Sequence, residues 1–110
     1  MKTGRYLPVF FLAVFLFAGN ALAHKVNLFA YVEGGKIYTE SYFPDGKPVT
    51  GGKISVYDSQ GNLLLEGITD KEGMFNFTVP KVDDLTIEID ASMGHKNHYK
   101  LKKTEVEAGR

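Results

Sequence analysis

Three histidines, His24, His95 and His98, are the side chains in this sequence best suited to chemistry. Imidazole is a good ligand for Ni²⁺, Cu²⁺, Zn²⁺ and Co²⁺. His24 directly follows Ala21-Leu22-Ala23, a small-x-small tripeptide typical of a signal-peptidase cleavage site. Cleavage after Ala23 would make His24 the first residue, and its free α-amine and Nδ1 could then close a chelate ring on one metal ion. The sequence therefore predicts a metal site that begins at His24.

The other two histidines lie close together near the end of the chain, in the segment Gly94-His95-Lys96-Asn97-His98. We expect His95 to be a ligand, because the preceding Gly94 allows backbone and ring to approach an ion closely. His98 either completes the site or points outward. The neighbouring Met93 could offer a soft thioether ligand, but a methionine beside an apolar strand end more often packs in the core.

Two acidic residues, Asp90 and Glu33, are the nearest candidates in the sequence for accepting a hydrogen bond from a metal-ligating histidine and so fixing its orientation. Both also fit the pattern of solvated strand residues, so the sequence leaves their role open.

Residues 1–23 have the three parts of a secretory signal peptide: basic residues, an apolar run and the small-x-small tripeptide. The apolar run from Leu7 to Gly19 is only ~13 residues long, whereas a membrane-spanning helix needs ~20. We therefore expect export to the periplasm or the extracellular space with a cleaved signal peptide. An uncleaved anchor would place the His24 nitrogen in an amide and abolish the chelate.

Charge and composition exclude several classes of function. Removing Lys2 and Arg5 from the 13 basic residues leaves 11, against 13 acidic residues, so the exported chain is mildly acidic. Nucleic acid is not expected as a partner, because phosphate binding needs a basic face. The chain has no cysteine, so neither disulfides nor thiolate metal sites are possible. No nucleophile or paired carboxylates are spaced for catalysis, and we do not expect an enzyme.

The exported part of the sequence is dominated by short alternating strands. The first runs from Lys25 to Glu33, followed by a Gly34-Gly35 hairpin turn. Six more strands are predicted, and the last of them runs from about Asn97 to Lys103. The seven strands, separated by turn signals, predict an all-β, antiparallel β-sandwich over residues 24–103. Residues 104–110 have too little apolar content to pack and are predicted to form a flexible tail.

This architecture also predicts which residues meet. Seven antiparallel strands place the loop between the sixth and seventh strands at the same end of the sandwich as the chain start. His24 and His95 are therefore expected to lie close together.

Three segments carry a resemblance to a known domain: Phe43-Pro-Asp-Gly-Lys-Pro-Val, Gly52-Lys-Ile-Ser-Val-Tyr-Asp and Gly67-Ile-Thr-Asp-Lys-Glu-Gly-Met-Phe-Asn-Phe. They resemble the carboxypeptidase regulatory-like domain, which has a prealbumin-like sandwich fold. Because this domain occurs in enzymes, adhesins and receptors, it indicates the fold but not the function.

With His24 after the signal peptide and Met93-Gly94-His95 near the end, the chain resembles the periplasmic accessory components of energy-coupling-factor-type nickel and cobalt transporters. The resemblance implies a protein that binds nickel or cobalt and passes it to membrane-embedded transporter subunits. Copper is an alternative ion, because the order of affinities alone favours it over nickel, and we expect a monomer. Two other functions stay open: a periplasmic copper-binding protein, and a structural or adhesive module without metal.

Overall fold

The computed structural model describes residues 25–110, which form seven strands and one short helix. The elements are β1 Asn27–Glu33, β2 Lys36–Tyr42, β3 Lys53–Tyr57, β4 Leu63–Ile68, β5 Met74–Thr78, β6 Leu85–Asp90, β7 Lys96–Leu101 and α1 Lys103–Ala108. All the strand pairs are antiparallel. The predicted all-β class and seven strands are confirmed.

The strands form two sheets, with orders β1-β2-β5 and β4-β3-β6-β7. Alternate side chains point into the space between the sheets and form a single core that includes Ile37, Ile54, Val56, Ile87 and Ile89, all fully buried. This alternation is the period-two pattern of strands that bury one face. The molecule is a β-sandwich, as predicted.

The turn between β1 and β2 determines how the first two strands pair. Gly34 and Gly35 have φ angles of 60° and 79°, the left-handed region that a two-residue turn of this kind requires. Val32 consequently lies opposite Ile37, and Glu33 lies opposite Lys36. The predicted hairpin is confirmed.

The strand directions give the sandwich two ends. The N-terminal end contains the start of β1 and the loops at residues 43–52, 69–73 and 91–95. The distal end contains the β1–β2 turn, the loops at residues 58–62 and 79–84, and α1. β1 lies beside β7, so the two sheets are close along this edge.

The C-terminal residues differ from the predicted flexible tail, because residues 103–108 form helix α1. Its one large apolar residue, Val106, is fully buried in the core. Glu105 accepts a hydrogen bond from the Lys102 N–H, and Asp84 accepts one from the Lys103 N–H, so the first turn of the helix is capped. The prediction was wrong because one well-placed valine and two caps suffice to dock a short helix.

A search of residues 25–110 for a helix long and apolar enough to cross a membrane finds none.

Candidate metal centre at the N-terminal end

The start of the described chain is bonded to the start of β7. The side-chain amide of Asn97 donates a hydrogen bond to the carbonyl oxygen of Val26 over 2.7 Å. Val26 is fully buried, so this part of the chain is held in the core as well as by the hydrogen bond. His24 lies outside the described residues, but two residues of chain span at most about 7 Å from Val26.

The 91–95 loop joins β6 to β7 beside this hydrogen bond. Asp90 accepts a hydrogen bond from the Ser92 N–H over 2.9 Å, and the Ala91 N–H donates to the His95 carbonyl over 2.8 Å. Ser92, Met93 and Gly94 all have positive φ angles, of 70°, 52° and 81°. Serine and methionine seldom adopt this conformation, and such backbone is held only where the surroundings fix it. The loop therefore reverses sharply and is closed by its own hydrogen bonds.

The reversal places Met93 at the tip of the loop, where it is 92% exposed. The expectation that this methionine packs in the core is therefore wrong. The apolar pattern of β6 suggested core packing, but the strand ends at Asp90 and the loop turns away from the core. The Met93 thioether is accessible to solvent two residues before His95.

His95 is half-buried and its ring contacts the ring of Phe43. The ring centroids are 5.6 Å apart and the planes meet at 81°, an edge-to-face arrangement. Phe43 directly follows β2, so the His95 imidazole is positioned by the end of a strand from the other sheet. The structure thus orients His95 at the N-terminal end.

His98 lies on a different face. It lies within β7 opposite Glu88 of β6, and it is exposed. Neighbouring strand residues point to opposite faces, so His98 points away from the side on which Asn97 reaches Val26. Of the two open possibilities, the structure places His98 outward, on the outer face of the four-stranded sheet.

The two acidic candidates are also separated. Asp90 lies at the end of β6 and shapes the 91–95 loop, with Lys96 Nζ 3.9 Å from its carboxylate. Glu33 lies at the far end of β1, seven residues long, and pairs across the hairpin with Lys36. Glu33 therefore belongs to the distal end and cannot support ligands near His95, because a strand of this length spans ~20 Å.

Within residues 25–110, no group of three or more histidine and acidic side chains is arranged to hold a metal ion. A site at this end would depend on ligands from His24 in addition to His95.

Two contacts at this end were missed by sequence reasoning: Asn97 with Val26, and Phe43 with His95. Asn97 did carry a signal, because it occupies an inward position on the same face of β7 as Tyr99 and Leu101. A polar side chain at an inward position needs a hydrogen-bond partner. The Phe43 contact joins two sheets and has no local signal.

The distal end holds a polar cluster of a different kind. The buried Asp58 carboxylate accepts hydrogen bonds from Lys81 Nζ over 2.9 Å and from the backbone and side chain of Asn62. The Lys81 ammonium and the Asn62 N–H hold the pKa of Asp58 well below its usual range. Each partner also closes a loop of the sandwich, so this distal network has a structural role.

Comparison with known proteins shows a distant similarity. The chain is 29% identical over 99 residues to an uncharacterized protein of Haemophilus influenzae, an alignment that covers 87% of this chain. The alignment covers 60% of the relative's length. No family model matches the chain, and no solved structure matches it.

Proposed function

We propose that this protein is exported, binds a transition-metal ion at the N-terminal end of the sandwich and passes nickel or cobalt to subunits of a membrane uptake transporter. The ligands are the α-amine and imidazole of His24 and the imidazole of His95. The fold subtype that we propose is the prealbumin-like sandwich of carboxypeptidase regulatory-like domains.

The observation that carries this proposal is the hydrogen bond between Asn97 and Val26. His24 is two residues before Val26, and His95 is two residues before Asn97. A bond between the two chain segments supports a site to which both histidines contribute. The edge-to-face contact with Phe43 also supports it, because an imidazole held in one orientation loses less conformational freedom when it binds an ion.

The chemistry of this ligand set suits delivery rather than permanent storage. Two imidazoles and an amine form the nitrogen-rich set that Ni²⁺ and Cu²⁺ prefer. The absence of cysteine from the sequence excludes thiolates, which would hold such ions more tightly. An open site with few ligands can release its ion to a partner.

Copper binding is a second candidate function, and the exposure of Met93 favours it. Thioether sulfur is a soft ligand that selects Cu(I), and Met93 is two residues from His95 and 92% exposed. Copper is therefore titrated beside nickel and cobalt in the experiment below.

The test is calorimetric titration of Ni²⁺, Co²⁺ and copper into two chains that both begin at His24, the second with its α-amine acetylated. The acetylated chain is a matched control, because acetylation converts the His24 amine to an amide and leaves every side chain unchanged. We expect one-to-one binding to the first chain and a loss of affinity of at least about a hundredfold in the second, since losing one ligand opens the chelate.

Equal binding by both chains would contradict a His24 chelate. Binding by neither would favour the structural or adhesive module. Tight binding of Cu(I) with no measurable binding of Ni²⁺ or Co²⁺ would replace the nickel and cobalt proposal with the copper one.

A further inference from the structure

The outer face of the three-stranded sheet carries an unusual set of exposed apolar residues. Strand alternation places them on the side away from the core. They are Phe29 and Tyr31 of β1, Tyr38 and Tyr42 of β2, and Met74 of β5, and we call this set the aromatic face. Four of them are more than one-third exposed: Phe29 46%, Tyr31 39%, Tyr42 42% and Met74 46%. Exposed apolar residues gathered on one face of a sheet make that face a candidate interaction surface.

The rings of the aromatic face contact one another. The Tyr31 and Tyr38 rings stack with centroids 5.3 Å apart, and Phe29 lies 6.0 Å from Tyr31. Phe29 also contacts the ring of Tyr99, a partly buried residue of β7 packed against the core, edge-to-face at 5.6 Å. These contacts pre-organise the surface, so a ligand would not need to order it.

A carboxylate lies in the middle of this surface. Glu40 is opposite Phe29 on one side and opposite Met74 on the other, and along β2 it lies between Tyr38 and Tyr42. It is partly buried, and it forms no ion pair or side-chain hydrogen bond with any residue from 25 to 110. In the part of the chain that the structure describes, this carboxylate beside aromatic and thioether groups is not paired with a cation.

The space beside Glu40 is a shallow cavity of about 270 Å³ at the N-terminal end of the face. Its walls include Tyr42, Pro48 and Met74, and a second carboxylate, that of Glu72, also lines it. No basic side chain is among the residues that line it. The cavity therefore combines two negative charges with an aromatic ring and a thioether.

A guanidinium group fits this combination better than other cations. It is planar, so it can stack on the Tyr42 ring, and its several N–H donors can reach more than one carboxylate oxygen. An ammonium would bind as a point charge and gain less from stacking. Arginine is also enriched at the centres of protein–protein interfaces.

The chain itself is poorly placed to supply this arginine. Its arginines are Arg5 and Arg110. Arg5 is in the predicted signal peptide, and Arg110 follows α1 at the distal end. We therefore expect the arginine in this cavity to come from another protein.

We propose that the aromatic face is a docking surface for a partner protein that inserts an arginine between Glu40 and Glu72. This inference goes beyond the proposed function and does not depend on metal binding. The end of β2 places Tyr42 in the cavity and the next residue, Phe43, against His95. A partner docked here would consequently lie beside the candidate metal centre.

The test is an NMR titration of the chain beginning at His24, which contains the whole sandwich, in the presence of a metal chelator. The probes are the peptide acetyl-Gly-Arg-Gly-amide and the same peptide with citrulline, the neutral analogue of arginine. A third peptide carries lysine. The signals of the Met74 methyl group and the Tyr42 ring report binding at the cavity.

We expect the arginine peptide to shift these signals with weak, saturable binding in the millimolar range, and the citrulline peptide to leave them unchanged. Glu40→Gln should weaken binding about tenfold, because charge-assisted hydrogen bonds are lost. Glu33→Gln is the matched control, since Glu33 is on the same face at its other end, and it should change the affinity less than about twofold.

Three outcomes would overturn the proposal. Equal shifts with the arginine and citrulline peptides would show that the charge is not recognised. Equal affinities for the arginine and lysine peptides would show that the planar guanidinium group is not recognised. Shifts of the same signals on raising the protein concentration alone would mean that a second copy of the chain occupies the cavity. Because a chelator is present, none of these outcomes bears on nickel or cobalt binding.

Discussion

The two ends of the sandwich use polar side chains in opposite ways. At the distal end, Asp58 is buried and its carboxylate is shared among Lys81, Gln60 and Asn62. At the N-terminal end, the side chains with ligand chemistry are oriented toward the surface: Met93 is almost fully exposed and His95 is half-buried against Phe43. A buried hydrogen-bonded network stabilises the fold, whereas side chains that solvent reaches beside a fixed backbone can contact a ligand.

The largest expected effect separates the two histidines near the C-terminus. His95→Ala should weaken Ni²⁺ binding at least about tenfold, because it removes a ligand positioned at the N-terminal end. His98→Ala should change the affinity less than about twofold, because His98 points to the outer face of the other sheet. Calorimetric titration of both variants measures the difference, and thermal unfolding controls for folding. Equal losses in the two variants would contradict the assignment of His95.

The distal network should contribute to stability in a pH-dependent way and should not affect metal affinity. The pKa of Asp58 is held below its usual range, so its contribution to stability is present above about pH 4 and is lost as the pH falls toward the lowered value. Asp58→Asn should lower the folded-to-unfolded ratio at pH 7 about tenfold, since the ion pair with Lys81 is lost. The variant should also lose less stability than the wild type between pH 7 and pH 3.

Urea unfolding at the two pH values tests this prediction. Asp45→Asn is the matched control, because the exposed Asp45 accepts one hydrogen bond, from the Lys47 N–H. Its stability and its pH dependence should follow those of the wild type. A change in Ni²⁺ affinity caused by Asp58→Asn would show that the two ends are coupled, contrary to the comparison.

The sequence predicted features that depend on local pattern. The alternation in β1 and the paired glycines at 34 and 35 were sufficient for the first hairpin, because a strand that buries one face repeats every two residues. The counting of antiparallel strands also led to the expectation that the 91–95 loop lies beside the chain start, and the bond between Asn97 and Val26 agrees with it.

The failures have two physical causes: contacts between distant segments have no local signature, and the path of the backbone through a loop or strand determines which side chains meet. Helix α1 is held by Val106 in the core and by Asp84, which is 19 residues before Lys103. Met93 is exposed because the backbone reverses at Ser92, and Glu33 is remote because β1 is extended. The predicted chelate of His24 falls outside the described residues and stays a prediction.

The smallest expected effect tests the link between the chain start and β7. Asn97→Ala removes the hydrogen bond to Val26 but removes no ligand, so it should cost about 1 kcal/mol of stability and weaken Ni²⁺ binding about fivefold. The loss of affinity follows because the first residues would no longer be held beside His95.

Asn76→Ala is the matched control, since Asn76 is exposed in β5 and has no part in that link. Calorimetric titration and urea unfolding of both variants measure the two effects. If Asn97→Ala lowers stability as expected but binds Ni²⁺ like the wild type, the position of the chain start does not determine the metal site, and His24 and His95 do not act together.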